Sequence, residues 1–153
     1  MKELQLSLEE RSLGYTHKFV IGFADLVALG AVLAGAVVLA PYVPGQACVK
    51  AAFKLNTPFD GGATSTMVLD VGHNGATTDD PDSLLDNYVV HVDGTEVLFG
   101  LGNGAAFATL STGYVPLDSG NYEATFTATG GNLNALTTGE VTILLGIVDL
   151  NSF

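Results

Sequence analysis

The chain has 153 residues, enough for one domain whose core needs neither disulfides nor a metal to hold it together. Only 14% of residues are charged against 48% apolar, which excludes a disordered chain, and 19 glycines favour short strands and tight turns over a helical bundle. The formal charge of −11 argues against nucleic acid as a partner.

That charge is unevenly spread. Residues 1–54 hold all five bases (Lys2, Arg11, Lys18, Lys50, Lys54) against four acids (Glu3, Glu9, Glu10, Asp25), whereas 55–153 hold twelve acids and neither Lys nor Arg. The pattern reads as a surface that keeps the protein soluble or, more sharply, as a polarised molecule with a near-neutral docking end and an acidic end facing water.

Residues 1–18, MKELQLSLEERSLGYTHK, alternate poorly and are expected to form an extended arm ahead of a single β-sandwich domain spanning 19–153. FVIGFADL (19–26) reads as a strand running into a bend. LVALGAVLAGAVVLAPYV (26–43) carries no charge and reaches the length of a membrane span. Gly30, Gly35 and the PYVPG turn divide it, so short strands such as GAVVLA (35–40) are expected, and no membrane partner. Being uncharged, the segment serves either as core or as subunit interface. A spanning segment at 26–43 is the competing reading.

After the turn, Val49, Ala51, Phe53 and Leu55 share one face of an alternating strand, with Lys50, Ala52 and Lys54 on the other. STMVLDVG (65–72) directs Met67, Leu69 and Val71 to the core. HNGATTDDPDS (73–83) carries turn signals and is expected as a loop, with Ser83 capping a helical turn over LLDNY. YVVHV (88–92) and EVLF (96–99) read as strands around an Asp93-Gly94 turn, and GLGNGAAFATLSTG (100–113) as a mobile loop. NYEATFTATGG (121–131) buries Tyr122, Ala124, Phe126 and Ala128, and EVTILLGIVDL (140–150) buries Val141, Ile143, Leu145 and Ile147. Together these elements predict an all-β, antiparallel β-sandwich of jelly-roll type.

Candidate chemistry is sparse. Cys48 is alone in an alternating apolar segment and reads as a small core residue. His17, His73 and His91 have no zinc spacing, and His91 and Asp93 share a strand face where they could meet. Asp79, Asp80, Asp82 and Asp86 form the one acidic cluster a cation could use, but without the glycine and terminal glutamate of an EF-hand loop. No serine has a nucleophile-elbow context, and no lysine follows GLGNG as a phosphate loop requires. No enzyme activity, metal or cofactor is expected. The candidate interface residues are Lys2, Arg11 and Lys18 on the arm, and Leu29, Leu33 and Val37 in the uncharged run.

The order of segments carries a resemblance. FADL, an apolar strand and a proline-glycine turn precede a Lys-bearing strand ending in TPFDGG, then STMVLDVG and ATFTATGGNLNALTTGEVTILL. Over residues 19–148 this is similar to small virion proteins of tailed bacteriophages, the cement or decoration proteins of icosahedral heads. The resemblance implies a β-sandwich on the outer capsid surface, partnered by the major capsid protein and by copies of itself, as a trimer. It implies no catalytic residues. Two other functions stand beside it: a head-fibre, neck or tail module binding a host receptor or glycan through loops 73–83 and 100–118, with Tyr114 as a contact, and the membrane-anchored reading of 26–43.

Overall fold

Alternation of apolar and polar residues obliges each strand to bury one face, and two sheets stacked on those faces satisfy the requirement. A computed structural model of the chain, described for residues 1–77, 79–91 and 118–152, has this architecture. One antiparallel sheet has the order β1-β2-β8-β4 and the other β3-β7-β5-β6. In chain order the strands are β1 (Lys2–Glu3), β2 (His17–Gly22), β3 (Ala34–Tyr42), β4 (Gln46–Asp60), β5 (Thr66–Gly75), β6 (Asp79–Val89), β7 (Gly120–Thr129) and β8 (Thr138–Asp149). Two short helices, α1 (Leu8–Ser12) and α2 (Phe23–Val27), and a 3-10 turn at Leu133–Ala135 complete the inner parts.

The protein is therefore an all-β sandwich. A jelly roll wraps eight strands as two Greek keys. The described residues form two antiparallel sheets of four strands and do not establish a jelly roll. After β6, Phe59 N donates to Val90 O at 2.9 Å, and His91 bridges Phe59.

The core lies between the sheets. Phe19, Ile21, Phe53, Phe59, Met67, Leu69, Val71, Phe126, Val141, Ile143 and Leu145 are all at most 1% exposed. The Phe59 and Phe126 rings meet at 5.4 Å and those of Phe53 and Tyr88 at 4.9 Å, tying opposite sheets together. Gly139, at φ 134°, lies where a side chain would drive into the Phe59 ring, so the start of β8 needs glycine.

Several local expectations are corrected. Val49 does not share the core face: a bulge between Cys48 and Lys50 lets Cys48 turn inward while Val49 stays 44% exposed. Residues 73–75 and 79–83 are not loop, and LLDNY is not helical: 73–75 end β5, and the rest lies in β6, an edge strand among the described residues, where Pro81 and the aspartates are tolerated because one side faces water. β6 has one extra residue between the Val71–Leu85 and Leu69–Tyr88 pairs, where Asp86 and Asn87 bulge opposite Asp70 alone, and Asn87 takes a positive φ of 61°. FADL is not a simple bend but the start of α2, whose Asp25 accepts from Gly22 N at 2.9 Å while Leu26 anchors it in the core. Ile147 is only partly buried at the core's margin. The expected elements over 92–117, with Asp93 and Tyr114, lie outside the described residues.

Residues 26–43 divide between roles. Leu26, Leu39, Ala40 and Tyr42 are buried, whereas Leu29, Val32, Leu33, Val38 and Val43 are exposed by 37–54%. Among the described residues no helix is long and apolar enough to cross a membrane.

Phe126→Ala should cost about 3–5 kcal/mol in chemical denaturation, because it empties the centre of both sheets. Val49→Ala, in a strand of similar hydrophobicity, should stay within about 0.5 kcal/mol because the bulge has turned it to solvent.

Candidate functional site

The sequence singles out two surface regions, the N-terminal segment and the uncharged run. The first is folded back over the outer face of the β2-β8-β4 sheet. β1 pairs with β2, Leu4 N donates to Lys18 O at 2.8 Å, and Thr16 N donates to Leu145 O at 2.8 Å. Beneath it, Tyr15, Ala52 and Leu144 form a second small apolar cluster, with Leu6 packed against it. Lys18 itself belongs to β2.

The turn that brings this segment back is α1. Ser7 and Glu10 make a capping box: Glu10 N donates to Ser7 Oγ at 3.1 Å and Ser7 N to Glu10 Oε2 at 2.6 Å. The other oxygen of Glu10 accepts from Lys18 Nζ at 2.7 Å. That ammonium, outweighing partial burial, holds the Glu10 carboxyl below the usual glutamate range. Lys50 donates to Leu13 O and lies over the Tyr15 ring, 5.9 Å from its centre. Lys18 and Lys50 are thus engaged within the molecule, whereas Lys2 and Arg11 stand exposed. A groove of about 380 Å³ runs beside the segment, with Val20, Lys54, Asn56 and Thr142 among its lining residues. Asn56 Nδ2 is held there by Glu140 Oε1 at 2.9 Å and Thr142 Oγ1 at 2.8 Å.

The uncharged run supplies the second surface. Phe23, Leu29, Val32 and Leu33 are exposed around the α2–β3 connection, and Val38 is exposed on β3. Leu29 lies over Gly35, at the margin between the sheets, and Val37 packs against the core. The candidate interface residues therefore separate: Lys2, Arg11, Leu29 and Leu33 face outward, while Lys18 and Val37 are largely occupied by internal contacts.

The same sheet carries the shifted acids on its other three strands: Asp80 on β6, Asp70 on β5, and Glu123 on β7 opposite Val38 of β3. Burial raises the Asp70 carboxyl, against the Asn87 N–H donated at 2.6 Å, and neighbouring Asp86 and Asp82 raise it further. Asp80 is raised by burial and by Asp82, and Glu123 by burial and by Asp79. Among the described residues no group of three or more His, Cys, Asp or Glu is arranged to hold a metal ion.

The remaining chemistry-bearing side chains are built into the fold. The Cys48 Sγ–H donates to Lys50 O at 3.0 Å, and burial pushes the thiol up to about 12, so it stays protonated and unreactive. His73 lies beside Ser83 Oγ at 2.9 Å and against the Tyr42 ring. His91 is 4% exposed, and the carboxylate near it is Asp60, at 3.7 Å. Sequence reading missed Glu10, Tyr15, Phe23, Val32 and Val38. The Ser-x-x-Glu start of α1 was a usable signal for the first of these.

The two sets of shifted carboxyls have opposite consequences for stability. Asp70, Asp80 and Glu123, raised in the folded state, destabilise it at neutral pH, and their full contribution returns only below their unfolded values. Glu10, lowered, contributes above its unfolded value and loses that contribution as pH falls through its folded value. Thermal stability should therefore rise slightly as pH drops from neutral toward the upper carboxylate range, then decline below it. Asp70→Asn should diminish the rise, and Lys18→Gln should diminish the decline by about 0.2–1 kcal/mol. Melting temperatures measured across this pH range check both signs. Comparison with known protein families, with characterised proteins and with solved structures matches nothing to this chain.

Proposed function

We propose that the chain is a structural virion protein that binds the outside of a phage head and stabilises the capsid by bridging its subunits. The order of segments over residues 19–148 suggests the class. The observation that carries the reading is the lateral polarity of the sandwich. The order β3-β7-β5-β6 puts the uncharged strand and the aspartate-bearing strand at opposite edges of one sheet. A protein that coats an assembly needs one side to bury against its neighbours and another to keep it soluble beforehand.

In this reading the partners are the major capsid protein and other copies of the chain, with no cofactor, nucleic acid or membrane involved. Exposed Lys2 and Arg11, together with Leu29 and Leu33, make the contact. Binding comes from apolar burial and strand addition, without covalent chemistry.

Quantitative mass spectrometry of purified particles should return a copy number that matches the repeating lattice of the head. A copy number matching a single ring would instead place the chain at the neck or tail, in favour of a receptor- or glycan-binding module. Its absence from particles would overturn both. Leu33→Asp should lower head occupancy roughly tenfold at limiting protein, equivalent to about 1.4 kcal/mol, with the melting temperature unchanged.

A further inference from the structure

Exposed strand edges present unpaired N–H and C=O groups, and proteins blunt them with charge, proline, bulges or brevity. Three of the four terminal strands among the described residues are blunted in this way. β1 has two residues, β4 carries Lys50 and Lys54 and a bulge, and β6 carries Asp79, Asp80, Asp82, Asp86 and Pro81. β3 is different. No charged residue occurs from Leu26 to Val49.

The backbone direction of β3 follows from its pairing with β7. Leu33 O accepts from Ala128 N at 2.8 Å, so Gly35 and Val37 also direct their N–H and C=O groups toward β7. Those of Ala34, Ala36 and Val38 point away from β7, to a side where no described residue pairs with them, and their side chains stand exposed on the outer face. The bulge between Val38 and Ala40, followed by exposed Pro41 with no N–H, ends the pairable stretch.

We propose that a second copy of this chain adds at this edge, β3 antiparallel to β3 across a two-fold axis, continuing the β3-β7-β5-β6 sheet through both molecules. The charge distribution selects the occupant. Twelve acids and no Lys or Arg in residues 55–153 repel another copy over most approaches, whereas β3 itself brings no charge to the seam and the nearest acid, Glu123, lies one strand back on β7 opposite Val38. A cationic partner would be drawn to the aspartates of β6 instead. The strand is also compatible with itself: with Ala36 on the axis, each Ala34 faces the other copy's Val38, so small side chains meet and no like charges oppose. The pairing stands independently of the virion reading, and its two-fold symmetry differs from the trimer that the resemblance implies.

Sedimentation equilibrium on the full chain at neutral pH should show a dimer that tightens with added salt, as screening weakens the repulsion between acidic bodies. Ala36→Lys should weaken it at least about tenfold by setting two ammonium groups face to face, and Ala36→Glu should do the same. Circular dichroism and heat scans confirm that each variant stays folded. Mixing the two variants should restore a dimer containing one of each, visible in native mass spectrometry. A monomer at all concentrations, a trimer, or a dimer indifferent to Ala36→Lys would overturn the proposal. Particle copy number is read separately, so either idea can fail without the other.

Discussion

Strand β8 is paired on both sides, by β2 and β4, and must also be covered on both faces. Val141, Ile143 and Leu145 enter the main core, while Leu144, 3% exposed, lies on the opposite face. An antiparallel strand that is apolar on both faces needs a second layer over it. The N-terminal segment is that layer: Tyr15 and Leu6 pack with Leu144 and Ala52, and Thr16 bonds the backbone at Leu145. The capping box of α1, the Glu10–Lys18 pair and Lys50 over Tyr15 follow from this need, since each helps turn the chain back onto β8.

Alternation made β7, β5 up to Gly72 and the inward face of β8 legible, because those stretches place apolar residues at period two. Met67, Leu69, Val71, Tyr122, Ala124, Phe126 and Ala128 all lie inside as their spacing requires. β4 was legible only beyond its bulge. One extra residue exchanges the faces of Cys48 and Val49, and a bulge leaves no periodic trace of itself. β6 was hidden for another reason: strand propensity reflects fit to a half-buried surface, and a rim strand tolerates the Asp and Pro that signal a loop elsewhere. The cover over β8 was hidden because its members, Tyr15, Ala52 and Leu144, come from three distant segments, each contributing one residue.

The charge asymmetry was legible as a division along the chain, but its spatial meaning was not. Strand order turns it sideways, with aspartates at the β6 edge and the uncharged run at the β3 edge. Of the cations assigned to docking, Lys18 is drawn into holding Glu10, which leaves Lys2 and Arg11 outside. The uncharged run proved to be both core and surface, since β3 buries alternate residues toward β7's sheet interior and leaves the others bare.

The two edges of that sheet are opposite solutions to one problem. At and beside β6, burial and then the neighbouring aspartates raise the proton affinity of Asp70 and Asp80, and charge of this kind is one way to blunt an edge. At β3 the same backbone groups have no partner among the described residues, and the strand carries no charge. The bulge and Pro41 limit how far an incoming strand can pair, and an edge with a defined end suits an interface, whereas an edge without such a limit would be an aggregation site.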